Sequence, residues 1–331
     1  MIDFRTLIGV ACGGKVVSQI EDAWGRVLWA MSTGDDEPAA IFEVAKRTRS
    51  SYDGETVYED NDFILLDIYP KPYGTVKVTY GGLTRTVTDS TGVDSPNAQQ
   101  VCFGRFSGQT YDDVTPASGR LTIEGAYRGY GMGSFNLKNT TTGKANSTYA
   151  PCITRVINYG NPSYIGAYAF STCSTFDPVK LPDGLTHIGS YAFYNSPTID
   201  ITEFPEGLQI IESNAFYQPT SSGMAMLDKQ VIFPSTLQEV GANAFRSESY
   251  YDLGGEKNYR TYLHTAVMRA TTPPVLGDCA FGHYFYTLAH TGNGLSASGN
   301  RIIIVVPKGS VDAYKAGEGW ISNTDNITEA T

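Results

Sequence analysis

An Ala-Phe dipeptide recurs five times in the C-terminal half of the chain, at Ala169-Phe170, Ala192-Phe193, Ala215-Phe216, Ala244-Phe245 and Ala280-Phe281. Three copies close a longer pattern. Pro182, Leu185 and Ile188 precede Ala192-Phe193; Pro205, Leu208 and Ile211 precede Ala215-Phe216; Pro234, Leu237 and Val240 precede Ala244-Phe245. A unit this short cannot bury its own apolar face and has to stack on its neighbours, so this half of the chain is a solenoid. Solenoids offer long surfaces more often than enclosed pockets, which points toward recognition.

Within a repeat, Leu185 and Ile188 lie three apart, so both can point inward as the chain coils across the core. The residue before each proline is apolar: Leu181, Phe204, Phe233 and Val306. Proline ends that strand because it has no N–H for a ladder. Alanine then allows close backbone approach, and Phe170, Phe193, Phe216, Phe245 and Phe281 are the expected repeat core, stacked one per coil. These residues resemble the BspA-type leucine-rich repeat, through L-P-x-x-L-x-x-I-x-x-x-A-F at Leu181 to Phe193 and, with Phe in first place, at Phe204 to Phe216 and Phe233 to Phe245. The stretch Val306 to Lys315 with Trp320 is similar to that family's usual ending. The resemblance covers about half the chain and implies the fold. For function it implies surface adhesion, bacterial or protozoal, or a place among the phage and prophage proteins that carry similar repeats. One departure is that the family commonly has Cys and Leu after Ala-Phe; only Cys173 keeps the Cys, with Asn195 and Gln218 elsewhere.

The 331 residues leave room for two or three domains, and a formal net charge of -10 without Lys or Arg blocks argues against a nucleic-acid partner. No apolar run approaches a membrane span. After Met1-Ile2-Asp3-Phe4-Arg5 the only apolar stretch is Thr6 to Cys12, shorter than a secretory core. Leu7 to Cys12 is faintly similar to a lipoprotein cleavage box, but an ordinary domain start is the simpler reading. The expectation is synthesis in the cytoplasm without a classical export signal, which leaves the N-x-S/T triplets at Asn139, Asn146 and Asn326 without meaning. Cys12, Cys102, Cys152, Cys173 and Cys279 are scattered and odd in number, as reduced buried thiols would be.

The expected architecture is mainly β in three parts. Residues 1–36 form an attachment or oligomerisation segment. Val16, Ile20, Ala23, Trp24, Val27 and Met31 fall at helical spacing, yet Val27 to Met31 reads equally as a strand and Gly25 weakens a helix. Trp24 and Trp29 need burial, in a local core or against another subunit, and are the candidate attachment contacts. The acidic stretch Gly34 to Pro38 reads as a linker. Residues 37–138 read as a small immunoglobulin-like β-sandwich without the Cys-Trp-Cys core. Its strands are Phe63 to Tyr69, Thr75 to Tyr80, Leu83 to Thr88 after a Gly81-Gly82 turn, Gln99 to Phe106, and Arg120 to Glu124. Arg128 to Gly133, with Gly at every second position, reads as a Gly-rich turn and not a phosphate loop. Residues 139–149 read as a loop leading into a leucine-rich-repeat solenoid over 150–331. That solenoid closes with a strand at Arg301 to Pro307, a short helix over Lys308 to Lys315 and a Trp320 cap.

The distance between successive Phe anchors grows from 23 to 23, 29 and 36 residues, always after the Phe. Insertions at one point of a repeat emerge on one edge. Three loops should cluster there: Tyr217 to Lys229, Arg246 to Tyr262 and Gly282 to Asn300. They carry Tyr217, Tyr250, Tyr251, Tyr259, Tyr284 and Tyr286 among Ser, Gly and Asn, the composition of adaptable binding loops, and these six are the candidate receptor-binding residues. The alternative is that they pack the loops onto the solenoid. Catalysis finds little support. Of the four histidines, His187, His264, His283 and His290, the last two could approach Cys279, but at no common zinc spacing, so neither metal nor cofactor is expected. No Ser-His-Asp arrangement is legible, and Asp112-Asp113 and Glu203-Glu206 read as solvated charges.

These features lead to the expectation of a non-enzymatic virion structural protein, a tail-fibre or tail-tip receptor-binding subunit assembled in the host cytoplasm. Its partners would be a bacterial surface receptor, glycan or protein, other virion tail proteins, and further copies of itself; no nucleic acid and no membrane insertion are expected. The alternative is a bacterial cell-surface adhesin of the BspA-like type. A carbohydrate-active enzyme is a third reading.

Overall fold

The computed structural model describes residues 11–12, 15–16, 19–21, 27–30, 38–49, 61–90, 98–104, 116–138, 145–149, 152–177, 180–196, 199–219, 230–248, 259–261, 263, 265–278, 280–281, 302–320 and 327–330. It is mainly β, with several sheets and a single short helix among the described residues.

Two hairpins come first. Ala11–Cys12 (β1) pairs with Lys15–Val16 (β2), and Gln19–Glu21 (β3) with Val27–Ala30 (β4), all antiparallel. At the described residues between Val16 and Ala30 the helical spacing is therefore not realised, and the strand reading is the one the structure takes over Val27–Ala30. Val, Ile and Trp favour a pleated surface, and Gly25 costs a helix about 1 kcal/mol. Trp29 stands opposite Ile20 across β3 and β4. Trp24 and the Trp29 side chain lie outside the described residues.

Eight strands then build two facing antiparallel sheets: Ala40–Ala45 (β5), Arg47–Arg49 (β6), Asn61–Pro70 (β7), Thr75–Tyr80 (β8), Leu83–Thr88 (β9), Gln99–Gly104 (β10), Ser118–Gly125 (β11) and Tyr127–Met132 (β12). One sheet runs β5-β11-β8-β9, the other β10-β7-β12 with β6 also on β7. Alternation fixes the faces: Val76, Val78 and Tyr80 are buried while Thr75 and Lys77 are exposed. Gly81 and Gly82, at φ 59° and 81°, form the two-residue turn between β8 and β9. Across the interior the Phe42 ring lies 5.1 Å from Tyr130 and Tyr80 lies 5.7 Å from Phe103.

β12 occupies the segment expected to be a Gly-rich turn. Its glycines have a packing reason that periodicity does not reveal. A Cβ on Gly129 would overlap the Tyr164 carbonyl oxygen, and one on Gly131 would come within 3.0 Å of the Gly166 Cα. The first coil of the solenoid crosses there backbone to backbone. Nor is 139–149 a loop throughout: Ser134–Lys138 (β13) pairs antiparallel with Ala145–Tyr149 (β14).

Both sheets run on into the solenoid. Ile153–Asn158 (β15) pairs antiparallel with β5, and Tyr164–Ile165 (β16) pairs parallel with β12. Thr175–Phe176 (β17) joins β15. His187–Ile188 (β18), then Ile210–Ile211 (β19), extend β16 as parallel rungs. Gln230–Phe233 (β20) begins a second parallel ladder, and Glu239–Val240 (β21) continues the first. The insertion after Phe245 starts as a hairpin, Arg246–Glu248 (β22) with Tyr259–Thr261 (β23). Thr265–Met268 (β24) pairs with β20, and Val275–Leu276 (β25) with β21. Ile303–Val306 (β26), the helix Val311–Ala316 (α1) and Ile327–Glu329 (β27) complete the chain, β27 parallel to β26.

One buried cluster extends from Ala40 to Ile327. Its axis is the phenylalanine spine. Successive rings lie at 5.2 Å (Phe170–Phe193), 4.9 Å (Phe193–Phe216), 5.1 Å (Phe216–Phe245) and 5.8 Å (Phe245–Phe281), and Trp320 stands 6.0 Å beyond Phe281. At the other end Phe170 meets Phe42 and Tyr130 of the sandwich, at 5.7 and 5.9 Å. Leu185 and Ile188 both point inward, fully buried. Trp320 satisfies its indole N–H at the Pro274 carbonyl (2.7 Å). No described helix is long and apolar enough to cross a membrane.

Candidate functional site

Each coil turns in the same way. The residue two before the Phe takes a left-handed backbone: Tyr168 at φ 54°, Tyr191 at 57°, Asn214 at 59° and Asn243 at 56°. The turn drops Ala and Phe into the core and aims the Phe N–H at the next coil. Phe170 donates to the Ala192 carbonyl (2.7 Å), Phe193 to Ala215 (2.7 Å), Phe216 to Ala244 (2.8 Å) and Phe245 to Ala280 (2.7 Å). Asn tolerates this backbone at small cost; Tyr does not. The Tyr168 and Tyr191 rings offset part of the strain by stacking on each other at 4.8 Å and 8°.

The three insertions leave from this edge. Gln218 N–H donates to the Arg246 carbonyl (3.0 Å) and Phe245 N–H to Ala280, so the chain departs after 219, after 246 and after 281 from consecutive rungs. The middle insertion leaves as the β22–β23 hairpin. Of the six loop tyrosines, Tyr217 is half-buried, its ring 5.5 Å from Tyr194 and under the Arg246 guanidinium at 5.7 Å. Tyr259 opens β23 opposite Glu248, its side chain outside the described residues. Tyr250, Tyr251, Tyr284 and Tyr286 lie outside the described residues.

The structure brings Tyr217 together with residues that the loop reading missed. Tyr191 lies 5.5 Å from Tyr194, so Tyr168, Tyr191, Tyr194 and Tyr217 form one aromatic strip, extended by Arg246 on its own Asn243 (3.1 Å). The signal was in the register of the repeat: Tyr194, Tyr217 and Arg246 each follow the Phe directly, and Tyr168 and Tyr191 each stand two before it.

A second polar-aromatic cluster lies on the outer face where the sandwich sheet becomes the solenoid sheet. The Arg128 guanidinium sits 5.6 Å from the Tyr69 ring centre, Tyr69 is 4.8 Å from Tyr164, and Tyr164 is 4.9 Å from His187. His187 Nε2 is 2.7 Å from Glu212 Oε1, while Ser190 gives Glu212 Oε2 both its hydroxyl (2.6 Å) and its N–H (2.8 Å). The hydrogen bond from His187 holds the Glu212 carboxyl below its ordinary range, against the opposing effect of burial. Serine and histidine share one acceptor and do not bond each other, so the trio fixes a carboxylate and gives no proton path from a hydroxyl to an imidazole. Nearby, burial pushes Asp67 up to about 6, only partly countered by its hydrogen bond to Gln100. Burial also raises the Tyr164 phenol.

Cys102, Cys152 and Cys173 are free and buried, and burial pushes the Cys102 and Cys173 thiols up to about 11, away from thiolate chemistry at neutral pH. Among the described residues no three His, Cys, Asp or Glu side chains are placed to hold a metal ion.

Residues 145–260 match the BspA type leucine rich repeat region, in six copies. The rungs of the structure continue past that match, through β25, Phe281 and the Trp320 cap. No curated protein matches the chain.

Proposed function

We propose that this protein is a non-enzymatic recognition subunit of a virion tail. In this reading it holds a bacterial surface receptor with the insertions of its repeat region, carried on an immunoglobulin-like sandwich. The observation that supports it is the departure of three insertions from consecutive, hydrogen-bonded rungs of one edge. Attachment points spaced one rung apart on a single edge let one partner engage several insertions at once. The Tyr168–Tyr217 strip at their base adds contact area with few rotatable bonds. The three buried free thiols fit assembly in a reducing cytoplasm before release. A repeat region of the BspA type fits binding or adhesion in general and also supports a second reading, an adhesin on a bacterial cell surface.

The test is binding of the purified chain to whole bacterial cells, beside a variant with Tyr250, Tyr251, Tyr284 and Tyr286 changed to Ser. Saturable binding that disappears in the folded variant is the expected result. Binding retained in the variant moves the site off the loops, and binding to no strain refutes receptor recognition. Tail and lysis genes beside the coding sequence would separate the virion reading from the adhesin.

A further inference from the structure

We infer that the free edge of β9 is the surface on which two copies of the chain pair, antiparallel, β9 against β9. The Gly81-Gly82 turn makes Tyr80 and Leu83 the hydrogen-bonded closing pair of the hairpin. Leu83, Arg85 and Val87 therefore direct their N–H and C=O groups at β8. Thr84, Thr86 and Thr88 direct theirs outward. Among the described residues the one bond made to these outward groups is from Gln99 Nε2 to the Thr88 carbonyl, 2.9 Å.

Exposed strand edges are ordinarily blunted by shortness, proline, lysine, a bulge or an inward charge. Of the other terminal strands in the sheets of four or more strands, β17 and β25 have two residues and β27 three, β20 has four and meets Glu203 through a bridge at Ile232, and residues 101–104 of β10 are buried. β9 has six residues, unbroken register on β8, and exposed Thr84, Thr86 and Thr88. It contains no proline, lysine or carboxylate. Of those devices it carries one, the inward charge of Arg85, whose guanidinium is already engaged over the inner Phe103 ring at 5.7 Å.

A second copy suits this edge for two reasons. A chain of net charge -10 repels itself over most of its surface, but this strand contributes no negative charge to the meeting. The strand is also self-complementary. Antiparallel pairing centred on Thr86 sets Thr86 against Thr86, Thr84 against Thr88, and each Arg85 against Val87, so no arginine faces an arginine. Thr–Thr pairs of this kind already hold β8 to β9, at 3.2 Å for Thr75 and Thr88 and 3.0 Å for Thr79 and Thr84. The pairing is isologous and closes at two copies, joining the six-stranded sheets across a two-fold axis.

The experiment is sedimentation velocity at micromolar concentration with thermal melting, on the full chain and on Thr86→Pro, which removes an N–H used by the partner and none used within the chain. The expected result is a dimer for the parent, association weakened on the order of tenfold or more in the variant, and an unchanged melting midpoint. A monomeric parent, or a Thr86→Pro variant that keeps the parent's oligomeric state, overturns the inference. Should Thr86→Pro itself melt early, Thr86→Cys and Thr84→Cys decide. Under mild oxidation only position 86 lies at disulfide distance from its own copy, roughly 5.5 Å between Cα atoms. Cross-linking at 86 above the parent's background and not at 84 supports the pairing; no cross-link at 86, or equal cross-linking at both, overturns it.

Discussion

Replacing Phe216 by Ala tests whether the spine is a rigid stack. The ring is buried to 1% exposure, lies 4.9 Å and 3° from Phe193 on one side and 5.1 Å and 6° from Phe245 on the other, and meets Phe204 edge-on at 5.6 Å. Truncating a buried Phe costs about 3–5 kcal/mol, less where neighbours collapse into the space. Here they are held apart. The rungs from Phe193 to Ala215 and from Phe216 to Ala244 are backbone bonds that the substitution leaves intact, so most of the cavity persists. With two stacked partners lost as well, we expect the upper part of the range, about 4–5 kcal/mol. Phe281→Ala should cost nearer 3 kcal/mol, because its neighbours stand farther off, at 5.8 Å (Phe245) and 6.0 Å (Trp320). Equilibrium urea unfolding followed by circular dichroism measures both. In a background with Trp24 and Trp29 changed to Phe, Trp320 fluorescence reports the C-terminal cap alone. Because coils contact only their neighbours, Phe216→Ala should make the Trp320 transition precede the loss of β signal. A cost below about 2 kcal/mol, or equal costs at both positions, would refute the rigid spine.

Three further outcomes are expected. Asn214→Ala, at φ 59°, should lose about 1 kcal/mol in urea unfolding, whereas Asn214→Gly should be neutral or better; equal losses would remove the left-handed backbone as the cause. Burial raises Asp67 from 3.8 to about 6, so the folded chain is penalised for its charge: stability present below pH 3.8 is lost as pH rises through 6. Asp67→Asn should therefore stabilise at pH 7, by on the order of 1 kcal/mol after solvent screening, with the gain vanishing near pH 4; a gain independent of pH contradicts this origin. Gly129→Ala places a Cβ on the Tyr164 carbonyl and should speed amide exchange at β16, while β8 and β9 stay protected.

The repeat was legible because its physics is local and recurs. Leu185, Ile188, Ala192 and Phe193 face inward for reasons contained within one coil, and the same reasons apply in the next. The edge on which insertions emerge followed from the growing spacing of the Phe anchors. The aromatic strip was legible in principle, since position relative to the Phe fixes what stacks, but it had to be read across coils and not within a loop. Arg128 to Gly133 misled because glycine marks a turn and a close backbone contact alike. His187 and Glu212, 25 residues apart, meet because the coil is 23 residues long and the pair is offset by two.

The sequence by itself determined that the C-terminal half stacks in coils, which residues fill them, and where they swell. Tertiary structure alone decided that β12 pairs with β16 and β15 with β5, so that both sandwich sheets run on into the solenoid around one core. Periodicity describes what a residue needs within a few neighbours. The pairing of β15 with β5 joins Ile153 to Val44, and that choice rests on which edge is free and where a side-chain-free glycine lets two backbones meet.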